Sequence, residues 1–232
     1  RLDDGPWRRL SARVDGAAFS ARLAAPAGGW FRLGVRARRG REIVGETQVP
    51  RVGIGEVFVV AGQSNAANHG EERQRPRRDT VTAFDGARWR PADDPQPGAS
   101  GDGGSFLPPL GDALVGRFQV PVGFVACAIG ATSVREWLPA GVPFPNPPTL
   151  EGRVRRRDDG RWESDGAAFG TLVARMRALG PRGFRAVLWH QGESDANQAD
   201  PTRTLAGALY RECLTTVIAR SRKEIGWDAP WM

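Results

Sequence analysis

The sequence predicts an α/β fold with a parallel sheet, led in by a short β-rich segment. Three observations carry this expectation. Continuous apolar runs at 56–62 (EVFVVAG), 120–128 (VPVGFVACA) and 184–190 (FRAVLWH) have the length and hydrophobicity of strands covered on both faces. Stretches with helical spacing separate them, so strand and helix alternate as parallel sheets require. Each run is followed directly by a polar cluster, where α/β folds place functional residues beyond the carboxyl ends of strands.

In chain order, residues 1–51 form the β-rich segment. WRRLSARVDGAAFSARL (7–23) and GGWFRLGVRARRG (28–40) carry partial period-two alternation punctuated by glycine. About fifty residues give too few strands for an independent sandwich. The segment therefore reads as part of a β domain or as a β cap, and residues 52–232 as the main domain. After the first buried strand, residues 67–105 are polar and rich in Pro and Gly, and read as long loops. FLPPLGDALVGRF (106–118) is a helix with Pro108 and Pro109 in its first turn. The second buried strand comes next, then another Pro/Gly/Arg-rich excursion at 139–166. AAFGTLVARMRAL (167–179) is an amphipathic helix stopped by Gly180 and Pro181. Beyond the third strand, residues 201–225 read as a long helix with Thr202 as its N-cap, and APWM (229–232) as the opening of a fourth strand.

Composition narrows the partners. Of the 33 basic residues Lys223 is the only lysine, and the formal net charge is +7. The arginines are scattered among carboxylates, and the densest run, RVRRRDD at 153–159, contains its own acids. With no helix-turn-helix, zinc-finger or RNP-like pattern, the charge reads as an arginine-biased surface and not as a nucleic-acid site. Cys127 and Cys213 sit in apolar stretches and read as two buried free thiols. Two cysteines and two histidines make no metal set, so neither metal nor cofactor is expected. No run of about 18 apolar residues is present to span a membrane.

The polar clusters carry the chemistry. In AGQSNAANHG, Ser64 lies just past a buried strand and beside glycine, where a nucleophile can sit on a sharp turn. Gly62-Gln63-Ser64-Asn65-Ala66 approaches the hydrolase elbow G-x-S-x-G, with Ala66 in place of the last glycine. An ordinary polar turn remains the plainer reading of these residues alone. In ACAIGATSVREWLP, Gly130 either lets its N–H serve an oxyanion hole or makes a simple tight turn. Trp137 reads as packing in preference to sugar stacking. In LWHQGESDAN, the Gln191 amide can donate to an oxyanion and the Glu193 carboxylate can orient a histidine. Gln63, Asn65, Thr132, His190 and Asp195 complete the candidate substrate-contacting or supporting residues.

Taken together, GEVFVVAGQSN, ACAIGATSVREWLP and VLWHQGESDA resemble, in order and spacing, the sialate O-acetylesterase / carbohydrate esterase family 6 group of the SGNH (GDSL-like) hydrolase superfamily. The resemblance covers roughly residues 52–232. It implies a three-layer α/β/α flavodoxin-like fold and serine-esterase removal of O-acetyl groups from carbohydrate, sialic acid or acetylated xylan among the candidates. By motif position Ser64 is the nucleophile. The Ser64 and Gly130 amides and the Gln191 side chain form the oxyanion hole. Glu193 is the acid that supports the catalytic histidine in some members. Two departures stand out: Gly130-Ala131-Thr132 replaces the usual Gly-Gly-Thr, and Ala66 follows Asn65 where methionine is frequent.

The family's histidine belongs to a C-terminal D-x-x-H block, which residues 1–232 lack; Asp228 is followed by Ala229, Pro230 and Trp231. The chain also opens on Arg1. The expectation is a chain cut at both ends, with the histidine beyond Met232. Substitution by His69 or His190, and a non-catalytic relative that binds acetylated sugar, are the competing accounts. Oligomeric state is not encoded, and an extracellular or periplasmic location is compatible with the sequence.

Overall fold

The computed structural model describes residues 1–196 and 199–232. Asn197, the last residue of the third polar cluster, lies outside that set. The amino-terminal segment forms two antiparallel hairpins, β1 (Ala12–Asp15) with β2 (Ala18–Ala21) and β3 (Gly28–Arg39) with β4 (Glu42–Ile54). Strand β4 runs through Gly55 into β5 (Glu56–Gly62). Glycine is needed at that junction, because a Cβ on Gly55 would come within 1.9 Å of the Pro121 carbonyl oxygen.

The main sheet has five strands in the order β12-β5-β8-β6-β7, with β6 (Val81–Phe84), β7 (Trp89–Pro91), β8 (Val122–Ala126) and β12 (Ala186–His190) beside β5. Strands β12, β5, β8 and β6 are parallel, and the edge strand β7 is antiparallel, so the sheet is mixed and not purely parallel as expected. The APWM segment behaves as predicted. Trp231 bridges Val187 in parallel, and Val187 and Met232 share a further backbone hydrogen bond beside β12.

The apolar runs divide their side chains between two cores, as a strand's period of two dictates. Val59 and Ala61 pack with Leu172 and Met176 of α2 (Ala167–Ala178) and Val217 of α3 (Gly207–Ile225). Phe58 and Val60 pack with Leu107 and Val115 of α1 (Leu107–Phe118). Helix α1 carries its prolines in the first turn, where their missing N–H costs nothing.

Three expectations need correction. The 67–105 region is not all loop: β6 and β7 lie within it. The 139–166 excursion contains a small antiparallel sheet of β9 (Pro143–Phe144), β10 (Val154–Arg156) and β11 (Trp162–Ser164). Helix α3 starts later than predicted, at Gly207, with Ala206 and not Thr202 at its N-cap. Thr202 is drawn into a turn instead, its N–H and hydroxyl both donating to the Asp200 carboxylate.

Candidate active site

The three polar clusters meet at one end of the sheet, and backbone hydrogen bonds hold them together. The Gly62 carbonyl accepts from Ile129 N–H at 2.8 Å, and Gln63 N–H donates to the His190 carbonyl at 2.7 Å. The elbow after β5 is thus held between the loops after β8 and β12. Gly62 has φ +116, and a Cβ there would lie 2.0 Å from the His190 oxygen, so only glycine fits between the two strands.

Ser64 opens a short 3-10 turn, Ser64–Ala66, and has φ +52. A non-glycine residue in that region is strained, and such strain is characteristic of a serine presented on a strand-to-helix elbow. Its Oγ accepts a hydrogen bond from Gln63 Nε2 at 3.0 Å. Gln63 is only 2% exposed, so this donor is held in the protein interior. Asn65 is exposed, and its carbonyl accepts from the Phe106 N–H at 3.4 Å.

The loop after β8 is shaped by the substitution noted in the sequence. Ala131 takes φ +58, a conformation natural to glycine and unfavourable for alanine. The loop keeps a left-handed residue at this alanine and bears the strain. Gly130 N–H points at the Ser100 hydroxyl, 2.8 Å away. A Cβ on Gly130 would lie 2.1 Å from His69 Nε2, so the His69 ring rests directly against this glycine. Thr132 is buried, donates to the Ile129 carbonyl at 2.8 Å and accepts from Trp137 Nε1 at 2.9 Å. Trp137 has no exposed surface and packs edge-on against Trp189, which is the packing role predicted.

The loop after β12 contributes Gln191, Glu193 and Asp195. Gln191 Nε2 faces three acceptors: Thr132 O at 2.9 Å, Gln63 Oε1 at 3.0 Å and the Asp195 carboxylate at 2.6 Å. Its Oε1 is buried without a donor among the described residues. Glu193 is exposed, with its carboxylate 3.8 Å from His190 Nδ1. The His190 ring packs on Phe106. Ala131, Thr149, Leu150, Glu193 and Ser194 line an open depression of about 330 Å³ beside these residues. Asp195 is buried, accepting from the Ser133 hydroxyl and from Val134 N–H.

Sequence reasoning missed the polar core beneath the site. Arg135 is fully buried; it donates to the Ser133 hydroxyl and to the carbonyls of Asn146, Pro147 and Arg203, with Asp195 3.6 Å away. One guanidinium thereby ties the β8 loop to the 139–166 excursion and to the loop before α3. Burial pulls its pKa down while the Asp195 charge opposes that fall. Beside it, desolvation pushes the buried Glu136 carboxyl up to about 7, although Ser133 N–H donates to it at 2.6 Å. The signal for this pair was present: Ser133-Val134-Arg135-Glu136 is a capping box. Asn68 is also buried, and its side chain exchanges hydrogen bonds with the backbone of Gln96 and donates to the Gly101 carbonyl, pinning the 94–104 loop to the elbow. Cys127 and Cys213 are buried free thiols as predicted, pushed by desolvation up to about 12 and about 11.

Comparisons with known proteins bear on the fold and the family. A search of curated proteins gives no match. Among solved structures, the chain is similar to a carbohydrate acetylesterase from Xanthomonas citri at 20% identity, with a TM-score of 0.56, covering 92% of this chain. It spans about half (48%) of that protein's length. A protein of Arabidopsis thaliana is similar at 19% identity and a TM-score of 0.50, over 76% of this chain and 71% of that one. These two likenesses concern the fold. The family profile described as carbohydrate esterase, sialic acid-specific acetylesterase matches residues 54–231, most of the chain, and takes in all three polar clusters. The chain belongs to that family.

Proposed function

We propose that residues 52–232 form a flavodoxin-like, three-layer α/β/α hydrolase domain that removes O-acetyl groups from carbohydrate through an acetyl-enzyme on Ser64. The observation that carries this reading is the elbow itself. Ser64 has φ +52 past a buried parallel strand, its Oγ hydrogen-bonded by a buried amide, between the Gly130 and Gln191 loops.

In the proposed reaction Ser64 Oγ attacks the acetyl carbonyl carbon. Its proton passes to an imidazole; the tetrahedral intermediate then collapses, the C–O bond to the sugar breaks, and the imidazolium returns that proton to the departing sugar oxygen. In this reading the imidazole belongs to a D-x-x-H block, as the resemblance implies, and that block does not occur within residues 1–232. The carbonyl oxygen, negative in the tetrahedral intermediate, is received by the Ser64 and Gly130 N–H groups and the Gln191 amide. Two local rearrangements go with this. The Ser100 hydroxyl yields the Gly130 N–H, and Gln191 redirects one N–H from its three internal acceptors. Glu193 supports the imidazole, and the depression it lines with Leu150 and Thr149 receives the sugar.

Ser64→Ala in the full chain tests the reading. Hydrolysis of p-nitrophenyl acetate should fall by about 10³-fold or more. Retained hydrolysis would remove Ser64 from the chemistry. Binding of acetylated glycan with no turnover by the unaltered chain would favour a non-catalytic binding relative.

A further inference from the structure

The Gln191 amide faces more acceptors than it can serve. Nε2 carries two protons and meets three oxygens: Asp195 Oδ2 at 2.6 Å, the Thr132 carbonyl at 2.9 Å and Gln63 Oε1 at 3.0 Å. The Asp195 carboxylate oxygen is the nearest of the three and takes the strongest bond. Turning the amide over would set Oε1 against three acceptors. The NH₂ group therefore stays toward Asp195, although Oε1 is left buried with no donor among the described residues. The carboxylate is itself immobile. Asp195 is buried and accepts from the Ser133 hydroxyl and the Val134 N–H, with the Arg135 guanidinium 3.6 Å away. The backbone nearby is fixed separately. The Tyr210 hydroxyl donates to the Gln191 carbonyl at 3.1 Å, the Asp195 N–H donates to the Gly192 carbonyl, and the Asp195 carbonyl accepts from Leu205 N–H. The orientation of the Gln191 side chain thus depends on the Asp195 carboxylate and not on the course of the loop.

We infer that Asp195 is a positioning residue: its carboxylate holds one N–H of the Gln191 amide and so aims the other at the oxyanion. The inference rests on Gln191 being an oxyanion donor. The two N–H bonds of an amide diverge in one plane, so holding the first restricts the second to a small pivot. In the resting site that second N–H is shared between the Thr132 carbonyl and Gln63 Oε1, both neutral acceptors. The oxygen of the tetrahedral intermediate is negative and draws the N–H away from them, whereas the neutral ester carbonyl of the bound substrate does not. The donor is therefore recruited mainly in the transition state, and its loss falls on kcat more than on KM. Without the carboxylate, Oε1 is free to turn toward the developing negative charge. An asparagine in place of Asp195 can donate as well as accept, so it leaves both orientations of the amide open. Arg135 supports the arrangement by keeping a positive charge beside the buried carboxylate.

A double-mutant cycle on the full chain, with p-nitrophenyl acetate as substrate, tests this. Asp195→Asn should lower kcat by about 10- to 100-fold and move KM by less than about 3-fold. Gln191→Met, which keeps side-chain length but has no donor, should lower kcat by about 10²-fold. Adding Asp195→Asn to Gln191→Met should then cost less than about 3-fold more, because the group that Asp195 positions is gone. Multiplication of the two losses in the double variant, or an unchanged kcat in Asp195→Asn, would overturn the inference. Full kcat in Gln191→Met would overturn the oxyanion assignment beneath it, and the inference with it. If Asp195→Asn does not fold, the side-chain amide NMR spectrum of the unaltered protein decides, with Gln191→Met identifying the signal. One Gln191 amide proton should lie far downfield and stay there when a p-nitrophenyl phosphonate modifies Ser64, while the other proton shifts. Two ordinary amide protons, or a downfield proton lost on modification, would contradict the positioning role.

Discussion

Glycine and alanine positions decide the local shape of the site. A Cβ at Gly62 would lie 2.0 Å from the His190 oxygen, and both atoms belong to paired backbone that cannot move aside cheaply. Gly62→Ala should therefore cost roughly 3 kcal/mol, read as a lower urea midpoint, together with loss of activity. An unchanged midpoint would mean that the β5–β12 junction is looser than this geometry. Ala131 presents the opposite case. It sits at φ +58, where glycine is at ease, so Ala131→Gly relieves strain and adds some unfolded-chain entropy. The balance should stabilise the protein by roughly 0.5–1 kcal/mol, a small rise in Tm. A fall in Tm would show that the alanine methyl packs favourably enough to outweigh its backbone. Both residues were conspicuous in the sequence as part of polar motifs. Their backbone angles were not, because φ depends on what the neighbouring strands allow.

Among the elements, the short turn Val134–Trp137 concentrates buried charge. Glu136 binds its proton up to about pH 7 when folded, against an ordinary glutamate value of 4.5. Between those values the folded state holds more protons than the unfolded state, so stability falls as pH rises. The contribution is complete below about pH 4.5 and is lost as pH rises to about 7. Its size is on the order of 3 kcal/mol. Asp85, Asp159 and Asp200, with Glu163 beside its arginines, have lowered values and act in the opposite sense, at more acidic pH. Urea midpoints at about pH 5.5 and about pH 8 should thus differ, and Glu136→Gln should flatten the difference. An equally steep profile in the variant would assign the pH dependence to other groups. Strands β5, β8 and β12 were legible because burial on both faces leaves continuous apolar runs. Strands β6 and β7 were not, being four and three residues long and set among Arg, Pro and Gly. The late start of α3 escaped because the Asp200 side chain captures Thr202 in a turn, a competition that residue type alone does not settle.

At the scale of the molecule, one sheet order brings three loops, separated by up to 131 residues in sequence, within hydrogen-bond reach of the Gln63–Ser64 elbow. That convergence was readable from the alternation of strands and helices, since parallel strands deliver their trailing loops to a common end. What composition concealed was the division of labour among the arginines. Arg155 and Arg157 of the densest basic run pair with Glu163. Arg135, indistinguishable from them by type, has no exposed surface and anchors the floor of the site. Side-chain burial results from packing between distant segments, so the polar core was invisible until those segments were placed. The central claim is that Ser64 carries the acetyl group between sugar and water. Rapid mixing of the full chain with an acetylated glycan, acid quenching and peptide mass mapping examines it directly. One acetyl group on the Ser64 side chain during turnover is the expected result. Steady turnover with that serine unmodified, under conditions that slow deacylation, would contradict it.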